Sequence, residues 1–345
     1  MVDTSRLEPY RRLLREAGSP GADEVIASTN VFPDGANYRV EIPSTEGVEG
    51  VRSVFQAADD FGVPVHRVSQ GSGSMLLVDD EIREMVALCQ ARNVELSLFV
   101  GPRPAWDISG QRSFGGNRLE GADQLVYSMD DLARASELGV RGALVSDEGV
   151  LLAAALMRSR GLLPADFVIK GSVQLMASNP LSVRMLQDAG LDTINLAPGM
   201  SLPRLAAVRG AVDIPIDFYV ESPDNLGGFV RYYEIPEIIR ALSPVYLKFG
   251  LRNHPDVYPS GGHLQPLNTA LSRERVRRAR VGLDLLERLG NDFVMSDLGA
   301  PAHETGLGVP QPASESVAAG SGVPSHEEQL AAPAGSTWRT MALRR

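Results

Sequence analysis

A closed (β/α)8 barrel of the TIM type is the fold that this sequence predicts, and two observations lead to it. Short apolar runs alternate with amphipathic helical segments eight times between residues 37 and 289. Such repeats favour parallel strands joined by right-handed crossovers, and eight pairs close into a barrel of about 250 residues. An open doubly wound sheet is the alternative, but the turn after the first strand, residues 43–47, lacks the glycine-rich phosphate-binding pattern.

The individual elements follow from apolar spacing and from the residues that begin or end helices. Apolar runs predict strands at residues 38–42, 64–68, 94–100, 142–146, 166–170, 192–196, 214–220 and 245–249, with a further short strand at 24–29. Helical spacing predicts helices at residues 46–61, 79–92, 123–138, 150–160, 179–189, 202–209, 234–242 and 272–289. Gly62 and Gly190 end two of these helices, and Asn179-Pro180 begins one.

Composition divides the chain into three parts. Residues 1–36 are expected to form a short amphipathic helix and a cover, and residues 37–298 the barrel. Residues 299–345 are rich in Ala, Gly, Ser, Pro and Glu with little hydrophobic periodicity, which predicts a disordered tail. The long loop at 104–122 is of a length that usually serves as a lid or a binding loop, and a disordered insertion is the alternative.

Charge and cysteine content exclude several classes of function. A formal net charge of −10 argues against nucleic acid as a general partner. The single cysteine, Cys89, excludes an internal disulfide and any cysteine-ligated zinc or iron–sulfur cluster built from this chain alone. The longest apolar run is too short to cross a membrane, and no signal-peptide core follows the N-terminal helix, so we expect a cytoplasmic protein. A homo-oligomer is left open.

Lysine is rare in this chain, and its placement is informative. Only Lys170 and Lys248 among the 33 basic residues are lysines, and each lies at the end of an apolar strand, one or two residues before a glycine. A lysine ammonium can lose its proton when buried, whereas an arginine guanidinium cannot, so both positions indicate chemistry. The structural alternative is that each lysine only neutralises a carboxylate or extends from a strand end into water.

In such barrels the carboxyl ends of the strands converge on one site. Polar residues two apart, such as Asp217, Tyr219 and Glu221, are expected to face inward together. We predict that Lys170 and Lys248 are catalytic, with Glu221 or Asp147 moving a proton. The predicted substrate-binding residues are Arg39, Glu41, Gln70, Arg103, Asn195, Tyr219 and Arg252.

These residues allow two kinds of chemistry. A lysine with a lowered pKa can form a Schiff base with a carbonyl compound. Alternatively, the lysines and arginines hold an anionic substrate while a carboxylate moves a proton. The non-functional alternative is a set of ion pairs that only stabilise the barrel. A divalent metal is conceivable at Glu41, Asp147, Glu148 and Glu221 with His254 or His263, but no compact metal motif is present, so no metal and no cofactor are predicted.

The central block resembles the collagenase-like peptidase family of unassigned catalytic type. The resemblance lies in Leu144-Val145-Ser146-Asp147-Glu148-Gly149, in residues 170–175, in Asn179-Pro180, and in residues 186–195 and 202–208, within residues 133–251. It implies a barrel fold and either protease activity or support of hydroxylation of tRNA or of the ubiquinone precursor with an iron–sulfur cluster. Residues 219–225, Tyr-Val-Glu-Ser-Pro-Asp-Asn, replace the family's small-residue turn and cysteines, so the cluster is not carried over.

Three hypotheses follow for the function. The first is an enzyme that acts on a small anionic substrate, with a carbonyl compound as one candidate, at the C-terminal rim of the barrel. The second is a peptidase-like activity, or modification of RNA or of a cofactor precursor, as the resemblance implies. The third is a barrel without catalytic activity that binds a ligand or a partner protein.

Overall fold

The barrel is closed and its strands follow one another in chain order. The computed structural model describes residues 8–19, 25–101, 118–289, 292–301 and 308–311. The strands are β1 Tyr38–Pro43, β2 Arg67–Ser69, β3 Glu95–Phe99, β4 Gly142–Val145, β5 Val168–Gly171, β6 Thr193–Asn195, β7 Ile216–Glu221 and β8 Val245–Phe249. Neighbouring strands pair in parallel, and β8 returns to pair with β1. The predicted (β/α)8 fold class is confirmed.

Each strand is followed by a helix, and one further helix precedes the barrel. The helices are α1 Glu8–Glu16, α2 Gly47–Phe61, α3 Asp79–Gln90, α4 Gly121–Glu137, α5 Glu148–Ser159, α6 Pro180–Asp188, α7 Leu202–Arg209, α8 Ile235–Leu242 and α9 Gln265–Arg288. Helix α9 begins seven residues before its predicted start. Residues 25–29 form no strand; instead the Ser28 amide donates to the carbonyl of Arg240 at 2.8 Å. No helix among the described residues is long and apolar enough to cross a bilayer.

Alternation along the strands separates an apolar outer layer from a polar interior. Val40 and Ile42 of β1 belong to the large apolar core that also includes helix residues such as Val51 and Val54. The alternate residues of β1, Arg39 and Glu41, are also buried but contact charged side chains of other strands. The helices therefore pack on an apolar surface, while the inside of the barrel is left for charged groups.

Segments from both ends of the chain close the N-terminal end of the barrel. Phe32 packs edge-on against Tyr246 with ring centroids 5.4 Å apart. The carbonyls of Ala300 and Pro301 accept hydrogen bonds from Arg39 Nη2 at 2.9 and 2.8 Å. Further on, the Leu96 amide donates to the Gly308 carbonyl at 3.2 Å. Residues 299–301 and 308–311 thus pack on the barrel, unlike the disordered tail predicted from residue 299, whereas 302–307 and 312–345 lie outside the described residues.

Candidate functional site

Seven charged side chains occupy the barrel interior, and we call them the central charge cluster. They are Arg39, Glu41, Arg67, Glu95, Lys170, Asp217 and Lys248, and none is more than 3% exposed. Burying a charge is costly unless it is paired, and each member has at least one ionic partner within the cluster. The cluster holds four cations and three carboxylates, so one positive charge is in excess when all members are ionised.

The lower layer of the cluster, nearest the N-terminal ends of the strands, consists of Arg39, Arg67 and Glu95 with Tyr246. Arg67 Nε donates to Glu95 at 2.8 Å, Arg39 Nη1 donates to it at 3.1 Å, and the Tyr246 hydroxyl at 2.6 Å. The Arg67 guanidinium also lies 3.6 Å from the centre of the Tyr246 ring. Burial raises the pKa of Glu95, but the two guanidinium groups outweigh that effect and lower it overall.

Arg39 belongs to this lower layer, so its predicted place at the C-terminal rim is wrong. It is the second residue of β1 and lies beside Tyr246, the second residue of β8. Its guanidinium is satisfied by Glu95, by the Ser296 hydroxyl at 2.9 Å and by the two carbonyls at residues 300 and 301. Period-two spacing placed Arg39 on the correct face of the strand but could not tell at which end of the barrel it lies.

The upper layer consists of Glu41, Lys170, Asp217 and Lys248, and it joins the two lysines through one carboxylate. Lys170 Nζ lies 2.6 Å from Glu41 Oε2 and 2.5 Å from Asp217 Oδ2. Lys248 Nζ lies 3.2 Å from the other Glu41 oxygen. Arg67 connects the two layers, because its Nη1 donates to Asp217 at 2.8 Å. The two lysines of this chain therefore meet inside the barrel.

Burial and ion pairing shift the pKa values of Lys170 and Glu41 in opposite directions. Burial lowers the pKa of Lys170 to about 8, because Asp217 and Glu41 recover only part of what the ammonium loses on leaving water. Burial alone would raise the pKa of Glu41, but Lys170, Lys248 and Arg67 hold it well below its ordinary value. Glu41 therefore stays ionised, and Lys170 is a group that can release a proton close to neutral pH.

Lys248 is the lysine closer to the C-terminal rim. It lies opposite Tyr219 in the β7–β8 ladder, two residues nearer the end of β7 than Asp217, which binds Lys170. Its Nζ lies 4.5 Å from the centre of the Tyr219 ring. The Asn195 amide is assigned with its oxygen accepting from Lys248 Nζ at 2.8 Å and its nitrogen donating to the Asp217 carbonyl at 3.1 Å. Asn195 and Tyr219 thus lie where the sequence places them, around a lysine.

A cavity of about 210 Å³, which we call the rim pocket, opens over the C-terminal ends of β1, β7 and β8. Its walls include Ser44, Asp224, Gly250, His254, Tyr258 and Arg275. In this wall, Gly250 packs closely against β7, since a Cβ on Gly250 would lie 2.7 Å from the Glu221 carbonyl and 3.1 Å from the Tyr219 ring. Tyr219 is therefore close both to Gly250 in the pocket wall and to Lys248.

Glu221 does not face the lysines, contrary to the inward orientation that its spacing from Tyr219 predicts. The β7–β8 register shifts between Tyr219 and Glu221, and this irregularity turns the Glu221 side chain away. Its carboxylate accepts from the Tyr232 hydroxyl at 2.6 Å and from Arg278 of α9 at 3.2 Å. Glu221 therefore connects the barrel to its surrounding helices, and the structure gives it no contact with Lys170 or Lys248 among those described.

Asp147 is a helix cap in this structure. It is the N-cap of α5, and its carboxylate accepts from the amides of Gly149 at 2.7 Å and Val150 at 3.2 Å. Its other oxygen accepts from the Leu119 amide at 3.1 Å. Such contacts are those of an Asp that begins a helix after a strand, and the predicted catalytic role gains no support from them.

The remaining predicted binding residues are scattered. Gln70 hydrogen-bonds to the backbone of its own loop at Gly73, at 3.0 and 3.2 Å. Arg252 lies at the rim, half exposed, and pairs with Asp224 at 3.3 Å. Arg103 and most of the predicted 104–122 loop lie outside the described residues, although Arg118 donates to the Ser146 carbonyl at 2.9 Å. No group of three His, Cys, Asp or Glu residues in the described ranges is arranged to hold a metal ion.

Comparison with known proteins adds the fold alone. A scan against protein-family models finds no match, and neither does a search of curated protein sequences. Among solved structures, the chain is similar to a U32 peptidase at 14% identity and a TM-score of 0.41, covering 64% of this chain and 95% of that one. It is also similar to a provisionally assigned deoxyribose-phosphate aldolase from Coccidioides immitis at 10% identity and 0.40, covering 72% and 94%.

A third similar structure is the carboxyl transferase domain of Rhizobium etli pyruvate carboxylase in its Y628A form with pyruvate. The identity is 13% and the TM-score 0.41, covering 84% of this chain and 57% of that one. At these values the likeness carries no argument about activity, and the fold rests on the strand order described above. The first of these structures is that of a U32 peptidase, but at a TM-score of 0.41 it does not show that this chain belongs to the peptidase family that the central block resembles.

Proposed function

We propose that this barrel is an enzyme that acts on a small carbonyl compound carrying a negative charge, with Lys248 as the amine that attacks the carbonyl carbon. The observation that supports this most is the pair of lysines sharing Glu41 in a cluster with one excess cation. Because of that excess, the cluster can lose one proton and become neutral without leaving a carboxylate unpaired. A neutral amine held in a buried site is the requirement for Schiff-base chemistry.

The two lysines have different surroundings, which supports Lys248 as the nucleophile. Lys170 is completely buried between two carboxylates. Lys248 contacts one carboxylate and one amide oxygen, and it lies closer to the C-terminal rim of the barrel. Lys170, the group whose pKa burial lowers to about 8, is the proposed base: in its neutral form it takes up the proton that Lys248 gives up before it attacks, through the Glu41 carboxylate that both contact.

The proposed step balances without any added reactant. The lone pair of neutral Lys248 Nζ attacks the carbonyl carbon and forms the C–N bond, while the C=O electrons move to oxygen. That oxygen receives one proton from the nitrogen and a second from bulk solvent, as a net uptake of one H+, and it then leaves as water. Burial raises the pKa of Tyr219, so its hydroxyl stays protonated and is the proposed relay for the second proton. The resulting iminium keeps its positive charge beside Glu41.

Borohydride trapping of the full chain tests this proposal. The protein is incubated with a panel of small 2-oxo acids and aldehydes, reduced, weighed by mass spectrometry and mapped by proteolysis. We expect an adduct on Lys248 with at least one carbonyl acid and none on Lys248→Arg, which keeps the charge but cannot form an imine. An adduct confined to the N-terminal amine or to Lys170, or one equally formed by Lys248→Arg, contradicts the proposal.

A barrel without catalytic activity is the second candidate, and one observation favours it. Both lysine side chains are enclosed, with 0% and 2% exposure, as expected if they only neutralise buried carboxylates. In that case no carbonyl compound labels Lys248, and Lys248→Arg binds ligands as the unaltered protein does. Peptidase-like action stays an expectation of the resemblance, to which the central charge cluster adds no support.

A further inference from the structure

The rim pocket contains a buried arginine that the sequence analysis did not single out. Arg275, on α9, is 1% exposed and lines the pocket. Among the described residues it forms one hydrogen bond, from Nη1 to the Ser44 carbonyl at 3.0 Å, and its buried Nε has no partner. A guanidinium has five N–H donors, and leaving buried donors unpaired is costly. A side chain held in this way is suited to an anion that enters from the pocket.

The groups around Arg275 fix its position, and it has no ion pair among the described residues. Ser44 has a left-handed backbone with φ of 56°, and its hydroxyl is hydrogen-bonded to Tyr258. Gly71 makes room for Tyr258, because a Cβ there would lie 2.6 Å from the Tyr258 ring. The buried carboxylate of Glu46 interacts electrostatically with Arg275, but the hydrogen bonds that it accepts come from the amides of Gly71 at 2.8 Å and Ser72 at 3.3 Å. A strained, non-glycine residue at such a place is typical of binding sites.

We propose that Arg275, with Tyr258 and Ser44, is the carboxylate-recognition site of the substrate, so that the ligand is a small monocarboxylate and not a phosphorylated compound. This inference rests on the proposed function only for the carbonyl group of the ligand. The anion site itself is inferred from the contacts of Arg275, Tyr258 and Ser44. A guanidinium fork matches the two oxygens of a carboxylate.

The charge of the pocket argues against a phosphate. Asp224 and Asp256 also line the pocket, and a phosphate dianion would be repelled by them. Asp224 is paired with Arg252 at 3.3 Å and accepts from the Asn253 amide at 2.5 Å, and Asp256 accepts from the Tyr258 amide at 3.1 Å. One buried guanidinium is therefore the main positive group that faces the cavity, which suits a single negative charge.

Calorimetric titration of the full chain with acetate, pyruvate and inorganic phosphate tests this site. We expect saturable binding of the two carboxylates and at least tenfold weaker binding of phosphate. Arg275→Met should weaken carboxylate binding at least tenfold. The matched control is Arg273→Met on the same helix, because Arg273 is half exposed and pairs with Asp60 on the surface; it should bind as the unaltered protein does.

Tyr258→Phe gives a second test that keeps the guanidinium, in case Arg275→Met does not fold. It should weaken carboxylate binding several-fold, through the lost hydroxyl contact to Ser44. Equal carboxylate affinity in Tyr258→Phe, or in a folded Arg275→Met, overturns the proposal, and so does tighter binding of phosphate than of carboxylate. If carboxylate binding depends on Arg275 but no Lys248 adduct forms, the anion site stands and the Schiff-base proposal fails.

Discussion

The two layers of the central charge cluster are equally buried, yet they are built from different cations. The lower layer holds its charge on two arginines, whose planar groups lie against Phe32 and Tyr246 at 4.3 and 3.6 Å from the ring centres. The upper layer holds it on the two lysines of the chain. Guanidinium stays charged and keeps a fixed geometry, whereas ammonium can lose its proton. The arginines, which stay protonated, thus lie toward the N-terminal end of the barrel. The lysines, which can lose a proton, lie toward its C-terminal end.

The largest expected effect comes from removing the carboxylate that both lysines share. Glu41→Gln leaves Lys170, Lys248 and Arg67 without one of their anions, so we expect a loss of about 3–5 kcal/mol in the free energy of unfolding. Denaturant unfolding measures it. Glu49→Gln on the exposed side of α2 is the matched control and should change stability by less than about 0.5 kcal/mol. A small loss for Glu41→Gln would show that the layers do not depend on ionic pairing.

Exchanging the cation type in the lower layer sharpens the comparison. Arg67→Lys keeps the charge but loses the fork that reaches Glu95 and Asp217 and the stacking on Tyr246, so we expect a loss of about 2–3 kcal/mol. Arg92→Lys, on the surface beside Asp59, is the control for the same exchange. If both variants are equally stable, the lower layer does not require a planar cation.

The upper layer should give stability a pH dependence that the lower layer lacks. With its pKa lowered to about 8, Lys170 loses a proton that the unfolded chain still binds up to its ordinary value of 10.5. Unfolding then takes up a proton, so the free energy of unfolding rises with pH, by on the order of 2 kcal/mol between pH 8 and about 9.5.

That rise is measured as a difference between the unaltered protein and Lys170→Arg, whose guanidinium stays charged throughout the range. Both proteins contain Cys89, whose buried thiol has a raised pKa and therefore makes the free energy of unfolding fall as the pH rises. Because this contribution is the same in both proteins, it cancels in the difference. Parallel stability curves for the two proteins would show that Lys170 keeps its proton, and the upper layer would then be as permanent as the lower one.

The smallest expected effect concerns Asp147, which lies outside the central charge cluster. Asp147→Ala removes the N-cap of α5, so we expect a loss of about 1 kcal/mol and unchanged labelling of Lys248 by carbonyl compounds. Asp147→Asn, which can still accept the amide hydrogen bonds, should lose less. Loss of labelling without loss of stability would restore the catalytic role that the sequence predicts for Asp147.

Alternation and helix spacing were sufficient to predict the barrel, because eight buried parallel strands leave eight separate apolar runs. Strand ends also led to Glu41 and to the two lysines that contact it, Lys170 and Lys248. They led as well to Asn195 and Tyr219, which lie next to Lys248. Arg67 and Glu95 were missed since they begin their strands, and the search followed strand ends. Each is nonetheless a charged residue next to an apolar run, at His66-Arg67-Val68 and Val94-Glu95-Leu96, which is the signal that could have found them.

Other features could not be read from the sequence for physical reasons. The shifted register in β7 depends on pairing with β8, so spacing alone placed Glu221 inside. Arg275 lies within the predicted helix 272–289 but was missed because the candidate residues were chosen at strand ends, although Arg275 lies on the buried face with Leu271, Val276 and Ala279. The depth of Arg39 depends on barrel closure, which is a property of all eight strands together.

The carbonyls of Ala300 and Pro301 have a practical consequence for anyone shortening this protein. They accept hydrogen bonds from the guanidinium of the otherwise buried Arg39, so trimming the chain directly after α9 would expose that arginine to water and disturb its ion pair with Glu95. A version shortened for crystallisation should retain these residues, even though they follow α9 and show little hydrophobic periodicity.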